Sequence, residues 1–238
     1  MKTVLHKADS RGFFNHGWLK THHTFSFADY YDPERVHFGA LRVLNDDTVD
    51  PGTGFGVHPH SNMEIVTIPL KGELTHGDSM GHSETIERGM IQVMSAGRGV
   101  RHSEMNDNPN RAVEFLQIWV IPERENVEPR YVNAVVADLL HKNEINTIVE
   151  PYPGKDNVPW IHQQAWFSIG KLEKDTELTY KFHSPESYGT YVFMLSGTAE
   201  VAGIELSKRD GLGVSDTQEI TIKAVTDAHI LLIEVPAV

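Results

Sequence analysis

The sequence contains no cysteine among its 238 residues. Disulfide bonds, zinc knuckles, iron–sulfur clusters and thiol nucleophiles are therefore excluded. Any metal ion bound by protein side chains must be held by His, Asp or Glu. The chain has 14 histidines that are available for that purpose.

Long apolar runs and basic clusters are missing as well. No stretch approaches the roughly 18 apolar residues of a membrane span, and the first nine residues lack the apolar segment of a secretory signal peptide. We therefore expect a cytoplasmic protein. The formal net charge of −12 repels phosphate backbones, so we do not expect direct binding to nucleic acid. The acidic composition is typical of a protein that is simply soluble. It does not exclude binding to a protein partner.

Short apolar segments, many of them β-branched, are separated by turn residues such as Gly, Pro and Asp. This pattern predicts an all-β protein built as a sandwich or barrel. In the first half we predict strands over 38–44, 63–70, 90–94 and 113–121. In the second half we predict strands over 165–169, 178–182, 190–195, 198–201, 219–223 and 229–235, with one short helix over 134–141.

A polar segment over 122–129, with a proline at each end, predicts the exit from a first domain. We therefore divide the chain into an N-terminal domain, 1–125, and a segment of linker plus C-terminal domain, 126–238. The two halves repeat weakly, because an apolar strand precedes a glycine turn at both Gly72 and Gly197.

Superposing these two glycines tests whether the second half carries the same functional residues. The matched pairs are His58 with His183, His60 with Pro185 and Glu64 with Gly189. The same superposition matches His102 with Asp227, which is not a histidine. The second half is thus expected to keep the barrel pattern without the metal ligands.

The most informative residues are two pairs at i and i+2. His58 and His60 share one face of a strand, and so do His102 and Glu104, because side chains alternate along a strand. Imidazole and carboxylate groups suit a divalent transition metal. Glu64 lies four residues after His60 and would share the same strand face. Alternation alone therefore does not decide whether Glu64 or Glu104 is the carboxylate ligand.

Two longer segments resemble the paired motifs of the cupin family. Residues 52–72 read G-x5-H-x-H-x3-E-x7-G, and residues 89–106 read G-x7-G-x4-H-x3-N. The second departs from the pattern, with Ser95 where proline is expected and two extra residues between Gly97 and His102. A more specific pattern over 94–104, together with 16–19, 23–27, 30–33, 38–43 and 55–60, resembles the pirin family, a branch of the bicupins.

The pirin resemblance implies a bicupin fold of two cupin double-stranded β-helix (jelly-roll) barrels, with metal in the N-terminal barrel only. It implies four metal ligands, namely His58, His60, His102 and Glu104. Glu64 is then expected to orient a ligand histidine or a bound water, with a direct ligand role as the alternative. The expected cofactor is one divalent transition metal ion, with Fe²⁺ first and Mn, Co, Ni, Cu or Zn as alternatives.

The resemblance to bacterial pirin-like proteins with quercetin 2,3-dioxygenase activity implies an oxidoreductase. A small aromatic flavonol and dioxygen are then the substrates, and the central ring is cleaved with loss of carbon monoxide. Glu104 is expected to act as ligand and catalytic base. The alternative function is a metal-dependent, redox-sensing pirin that binds transcription or metabolic protein partners.

Four further histidines receive a plainer interpretation. His22 and His23 lie among aromatic residues, where they either line the pocket mouth or pack in the core. His76 and His82 flank a glycine-rich segment, which predicts an exposed hairpin.

Overall fold

A computed structural model describes residues 1–154, 158–184 and 186–238. These residues form 22 β-strands and two one-turn 3₁₀ helices, Ala8–Ser10 and Ala137–Leu139, and they contain no α-helix. The all-β fold class predicted from the sequence is confirmed. None of the helices in the described ranges has the length and apolar composition of a membrane span.

Twelve strands come from the first part of the chain. They are β1 (Lys2–His6), β2 (Gly12–Asn15), β3 (Leu19–His23), β4 (Leu41–Val49), β5 (Gly54–His60), β6 (Glu64–Lys71), β7 (Glu73–Asp78), β8 (Ser83–Glu87), β9 (Met90–Ser95), β10 (Val100–Met105), β11 (Val113–Val120) and β12 (Arg130–Val135).

Ten strands follow in the second part of the chain. They are β13 (Ile145–Pro151), β14 (Trp160–Ile161), β15 (Trp166–Leu172), β16 (Glu177–Lys181), β17 (Ser187–Ser196), β18 (Ala199–Val201), β19 (Ile204–Leu206), β20 (Gly211–Ser215), β21 (Glu219–Ala224) and β22 (Ala228–Pro236).

The strands form two barrels, each made of a seven-stranded and a four-stranded sheet. In the first barrel the strand orders are β12-β9-β6-β11-β4-β3-β2 and β5-β10-β7-β8. In the second barrel they are β1-β20-β17-β22-β15-β13-β14 and β16-β21-β18-β19. Equivalent strands occupy equivalent places, so the weak repeat in the sequence corresponds to a repeat of topology.

The two glycine turns have the same backbone conformation and equivalent neighbours. Gly72 and Gly197 have φ of +75° and +77°, a conformation that a Cβ atom disfavours. A Cβ on Gly72 would meet the carbonyl oxygen of Ala112, and one on Gly197 would meet that of Asp227. The start of β11 therefore matches the start of β22, residue 112 matching residue 227.

Strand pairing crosses the proposed domain division at 125/126 in both directions. β1, from the N-terminus, pairs with β20 of the second barrel from Lys2–Ser215 to His6–Gly211. β12, which follows the division, pairs with β9 of the first barrel from Arg130–Ser95 to Val135–Met90. Each barrel thus completes its larger sheet with a strand from outside its own sequence segment.

The short helix predicted over 134–141 is wrong. Ala134 and Val135 belong to β12, and only a single 3₁₀ turn over Ala137–Leu139 follows. The reason is a pattern with period two, because Val132 and Ala134 both pack against the core between the barrels, as Val136 does. Alternation of this kind is typical of a strand.

The two seven-stranded sheets pack face to face around the largest hydrophobic cluster. Val66 and Ile118 come from the first sheet, and Phe167, Tyr191 and Leu231 come from the second. These side chains are fully buried or nearly so. Because burial of apolar area is the main favourable term in folding, this shared core holds the barrels together.

The interiors of the barrels differ in composition. The second barrel encloses one continuous cluster of buried apolar residues, which includes Val192, Ile222 and Leu232. The first barrel has two smaller clusters, one around Leu74 and one around Ile65. Polar side chains occupy the space between those clusters, and they include the predicted metal ligands.

Candidate metal centre

Three predicted ligands converge inside the first barrel. His58 and His60 lie on β5, and His102 lies on the neighbouring strand β10, directly opposite His58 in the strand register. One nitrogen from each imidazole can be chosen so that all three atoms lie within 4.8 Å of one another. The ring centroids are 4.4–4.8 Å apart. These three histidines form the metal site.

A bulge shapes the pairing of the two ligand strands. His102 pairs with His58, but Glu104 pairs with Phe55, so β5 contains one extra residue between these positions. Gly54 allows the strands to approach closely beyond the bulge, since a Cβ there would lie 2.3 Å from the carbonyl oxygen of Glu104. Bulges of this kind change the direction of side chains near functional sites.

The hydrogen bonds leave metal-binding nitrogens unprotonated. His58 Nδ1 lies 2.8 Å from the carbonyl oxygen of Gly56. A carbonyl only accepts hydrogen bonds, so in the neutral ring Nδ1 carries the proton and Nε2 is free to bind a cation. His102 Nε2 is buried and has no hydrogen-bond partner in the described part of the chain. A metal ion would satisfy this otherwise costly polar atom.

Burial also keeps the imidazoles of His60 and His102 neutral. It lowers the pKa of His60 to about 4 and that of His102 to about 3, with the neighbouring imidazoles as a second cause. A neutral imidazole retains the lone pair that a metal ion needs. The residues present therefore fit a divalent cation in position, protonation state and donor type.

His76 lies beside this site, which corrects part of the hairpin prediction. β7 and β8 do form a hairpin, but the side chain of His76 is fully buried. Its Nδ1 lies 3.4 Å from Nδ1 of His102, and its Nε2 lies 3.0 Å from Oδ2 of Asp78. The physical reason is alternation along β7, which directs Leu74, His76 and Asp78 inward.

These contacts form a chain of hydrogen bonds that sets the tautomer of His102. Asp78 accepts from both His76 and His82. Burial raises the pKa of Asp78, but the hydrogen bonds together lower it below its usual range, so Asp78 is a carboxylate. Neutral His76 then donates from Nε2 and accepts at Nδ1 from His102. The proton of His102 therefore lies on Nδ1, and Nε2 is left free for the metal ion.

An aromatic residue packs beside this chain. The ring of Tyr131 stacks against His76, with centroids 4.3 Å apart, and against His82, with centroids 4.7 Å apart. Tyr131 lies on β12, the strand that follows the proposed domain division. This contact could not be predicted from the sequence, because Tyr131 is distant from the hairpin in the chain.

Glu104 is buried in the same barrel, but it is not part of the 4.8 Å group formed by the described residues. Nε2 of Gln117 donates to both of its carboxylate oxygens, at 3.0 and 2.9 Å. Burial raises the pKa of Glu104, while the hydrogen bonds of Gln117 and Thr67 and the charge of His58 oppose that rise. The role of Glu104 as a metal ligand stays a prediction.

Glu64 lies away from the metal site, which corrects the expectation that it orients a ligand. Ser95 donates a hydrogen bond of 2.7 Å to its Oε2, and its other polar neighbours are His162 and Arg130. His60 and Glu64 do not share a strand face, because the chain turns between them at Asn62, where φ is +47°. His60 and Glu64 therefore lie on strands of different sheets.

An aromatic wall backs the ligand histidines. The ring of Trp119 packs edge-on to His60 with centroids 4.9 Å apart, and Phe27 packs edge-on to Trp119 at 5.2 Å. His23, in turn, packs edge-on to Phe27 and is nearly buried. His23 thus belongs to the core behind the wall, whereas His22 packs against the half-exposed Phe13.

Sequence reasoning missed the two residues that β11 contributes. Gln117 holds Glu104, and Trp119 contacts His60, because both point into the first barrel. The available signal was a polar residue at alternating position within an otherwise apolar strand, Phe115-Leu116-Gln117-Ile118-Trp119. A buried amide of this kind requires a polar partner.

A cavity of about 320 Å³ opens beside His60. It is lined by residues of the ligand strands and their adjoining loops, which are Pro59, His60, Ser61, Ser79, Gly99, Val100 and Arg101. Its volume is in the range of small-molecule sites in proteins. A small ligand can therefore reach His60 from this side.

Comparison with known proteins assigns both halves of the chain. Residues 4–120 match the family profile described as Pirin, and residues 148–235 match the one described as Quercetinase C-terminal cupin domain. Quercetin 2,3-dioxygenase of Escherichia coli K12 is 39% identical over 234 residues, covering 98% of this chain and 99% of that protein. A pirin-like protein of Caulobacter vibrioides is 37% identical over 226 residues, covering 95% of this chain and 96% of its own.

A solved structure supports the same relationship. The bacterial pirin YhhW of Escherichia coli, determined in complex with nickel(II), superposes with a TM-score of 0.93 at 38% identity and covers 100% of both chains. The two-barrel bicupin fold expected from the sequence is confirmed by this match together with the two family profiles.

Proposed function

This chain belongs to the pirin family of bicupin proteins, and from that premise we propose that it is a metal-dependent dioxygenase of the quercetin 2,3-dioxygenase type. The proposed substrates are a flavonol such as quercetin and dioxygen. The proposed reaction cleaves the central ring of the flavonol and releases carbon monoxide. One observation carries the proposal, namely three histidines whose nitrogens converge beside a cavity that admits a small molecule.

We propose Fe²⁺ as the metal ion, with Mn, Co, Ni, Cu and Zn as alternatives, since imidazole nitrogens accept all of these. When bound, such a cation supplies a Lewis acid that lowers the pKa of a substrate hydroxyl group and favours its anion. His58, His60 and His102 would hold the cation. Asp78 and His76 maintain the tautomer of His102 that this requires.

We assign Glu104 two proposed roles, as fourth ligand and as the base that accepts the proton of the substrate hydroxyl. Burial raises its pKa and so strengthens it as a base. The amide of Gln117 donates to both carboxylate oxygens, and these hydrogen bonds favour the ionised form that a base requires.

The aromatic wall suits a flat substrate. Trp119 packs edge-on to His60, which lines the cavity, so a planar ring bound beside His60 would lie near aromatic side chains. The same wall excludes water from that side of the site, because Phe27 and His23 close the space behind Trp119.

The test uses purified protein that has been stripped of metal and reloaded separately with each of the six candidate ions. Quercetin is then added under oxygen, and both quercetin consumption and carbon monoxide release are measured. We expect turnover with at least one ion, and its loss in His58→Ala. His141→Ala is the matched control, because His141 is exposed and is not one of the histidines that converge at the site.

Two results would contradict the proposal. One is metal-loaded protein that consumes no more quercetin than His58→Ala. The other is quercetin loss without carbon monoxide. If the protein bound metal and lacked turnover, but retained a protein partner in one oxidation state of the metal only, the redox-sensing alternative would replace the dioxygenase.

A further inference from the structure

A second cavity, of about 330 Å³, lies between the two barrels. One wall comes from β6 and β9 of the first barrel, and the other from β15, β17 and β22 of the second. The segment around the 3₁₀ helix Ala137–Leu139 closes one side. The cavity therefore lies at an edge of the contact between the two seven-stranded sheets.

The floor of this interbarrel cavity is apolar. Ile68 and Ile91 line it from the first barrel, and Ile169 lines it from the second; all three belong to the shared core. Leu140 and Leu195 also line it and are only partly buried. An apolar ligand group placed here would cover surface that the barrels leave accessible to water, which is favourable.

The rim of the cavity is basic. Two of its cations are already paired, since Lys71 contacts Glu114 at 3.3 Å and Arg209 contacts Asp46 at 2.9 Å. Three further cations line the cavity, namely Arg88, Lys171 and Lys208. Within the described ranges, none of these three forms an ion pair.

The basic rim opposes the overall charge of the chain, which is −12. Among the described residues, Glu114 is the one acidic residue of the lining, and Lys71 contacts it. His229 pairs with Lys171 in the strand register. Burial lowers the pKa of His229, and the charges of Lys171 and Arg88 lower it further. Both cations therefore act on the same part of the cavity.

We propose that the interbarrel cavity binds a small organic anion, namely a carboxylate with a short aliphatic chain or a single ring. The apolar floor would receive the body of the ligand, and the unpaired cations of the rim would receive its charge. A partly enclosed cavity strengthens that attraction, because field lines are concentrated where solvent is limited.

This site is separate from the metal centre. Thr67 and Ile68 are neighbours on β6 and face opposite sides of the sheet. Thr67 contacts Glu104 and Gln117 inside the first barrel, whereas Ile68 lines the interbarrel cavity. The proposal therefore does not depend on the proposed dioxygenase activity.

The test measures binding of octanoate to the full-length, metal-loaded protein by calorimetry. Two probes serve as matched controls, because acetate has the charge without the apolar chain and octylammonium has the chain with the opposite charge. We expect one octanoate site, with an affinity at least about tenfold above that of either control. Equal binding of octanoate and octylammonium would overturn the role of the basic rim.

Variants locate the site. We expect the double variant Lys171→Met/Lys208→Met to weaken octanoate binding at least about tenfold, and Lys174→Met, an exposed lysine outside the cavity, to leave it unchanged. Ala137→Trp, on the exposed side of the lining, should block the cavity without changing a buried residue. Circular dichroism and metal content confirm folding. Unaltered octanoate binding in both lining variants would overturn the proposal.

Discussion

The two barrels have the same topology but opposite interiors, and matching positions of one strand show why. With residue 112 matched to residue 227, Gln117 of β11 matches Leu232 of β22. The strand register agrees, because Gln117 pairs with Thr67 and Leu232 pairs with Val192, each five residues before its turn glycine. In the first barrel this position holds a carboxylate by hydrogen bonds, and in the second it packs in an apolar core.

The next residue of β11 that points into the first barrel also differs from its counterpart in β22. Trp119 matches Glu234, which is buried and accepts hydrogen bonds from Tyr180, His183 and Ser187. His183, the counterpart of His58, is thus engaged by a carboxylate and stacks on Trp166. Pro185, the counterpart of His60, lies outside the described residues.

The two barrels share one topology, but the second contributes mainly apolar packing and the first holds the polar groups of the metal site. The second barrel encloses a continuous apolar core, whose packing contributes to stability directly. The first barrel divides its apolar core to make room for polar groups. Burial of polar groups without partners is costly, and the shared core and the crossing strands β1 and β12 connect the first barrel to a well-packed neighbour.

The largest expected effect tests this difference with two buried leucines. Leu232→Ala and Leu74→Ala should each lower the free energy of unfolding by about 2–5 kcal/mol, through lost burial and a new cavity. Only Leu74→Ala should also weaken metal binding, because Leu74 precedes His76 on the inward face of β7. Urea unfolding and metal titration of the folded variants measure both quantities. Equal loss of metal affinity in Leu232→Ala would contradict this difference between the barrels.

Removal of a ligand from the first barrel should affect metal binding more than folding. His102→Ala should reduce metal affinity by more than about 100-fold, since a ligand contributes more than an outer-shell residue. The variant should remain folded, because neither barrel core includes His102. Metal content and circular dichroism provide the check. An unfolded His102→Ala would show that the ion is structural.

The hydrogen-bond chain behind His102 predicts a smaller effect on the same barrel. His76→Phe keeps a ring of similar size but removes the acceptor of His102 Nδ1, so metal affinity should fall by about 10–100-fold. His82→Phe is the matched control, because His82 contacts Asp78 without contacting a ligand. Competition with a chromogenic chelator measures both affinities. Equal metal affinity in the two variants would show that His76 does not support metal binding.

The last expected effect concerns pH and a histidine on β1, in the sheet of the second barrel. Burial, together with the charge of Arg35, lowers the pKa of His6 to about 4. The unfolded chain takes up this proton near pH 6.5 and the folded chain does not, so stability falls as pH drops from about 6.5 to about 4. The contribution of His6 is at most about 1.4 kcal/mol per pH unit.

His6→Phe should therefore flatten the pH dependence of unfolding in this range, with or without bound metal. The quantity to measure is the difference in unfolding free energy between wild type and His6→Phe at each pH. Burial raises the pKa values of Asp47 and Glu64 to about 7, and these two groups therefore change the stability of both proteins in the opposite direction. His141→Phe is the control at an exposed site. If the difference in unfolding free energy between wild type and His6→Phe changed on metal binding, the pKa of His6 would depend on the first barrel, which would contradict this prediction.

Strands were predicted best where one face or both faces are apolar. The segments at 63–70 and 113–121 correspond closely to β6 and β11. The prediction at 38–44 missed the continuation of β4 to Val49, because that part is polar in sequence. Its Asp46 pairs with Arg11 and Arg209, which are distant in the chain.

The sequence by itself determined the all-β class, the repeat marked by Gly72 and Gly197, and the shared face of His58 and His60. The last of these follows from local spacing, because side chains alternate along a strand. The convergence of His102 on that pair depends on β5 and β10 becoming neighbours. Only the tertiary structure decided the place of Glu64 and the contacts of His76, Gln117 and Tyr131 with the site. Those depend on which strands become neighbours and where the chain changes sheet, and neither property is encoded in the spacing of nearby residues.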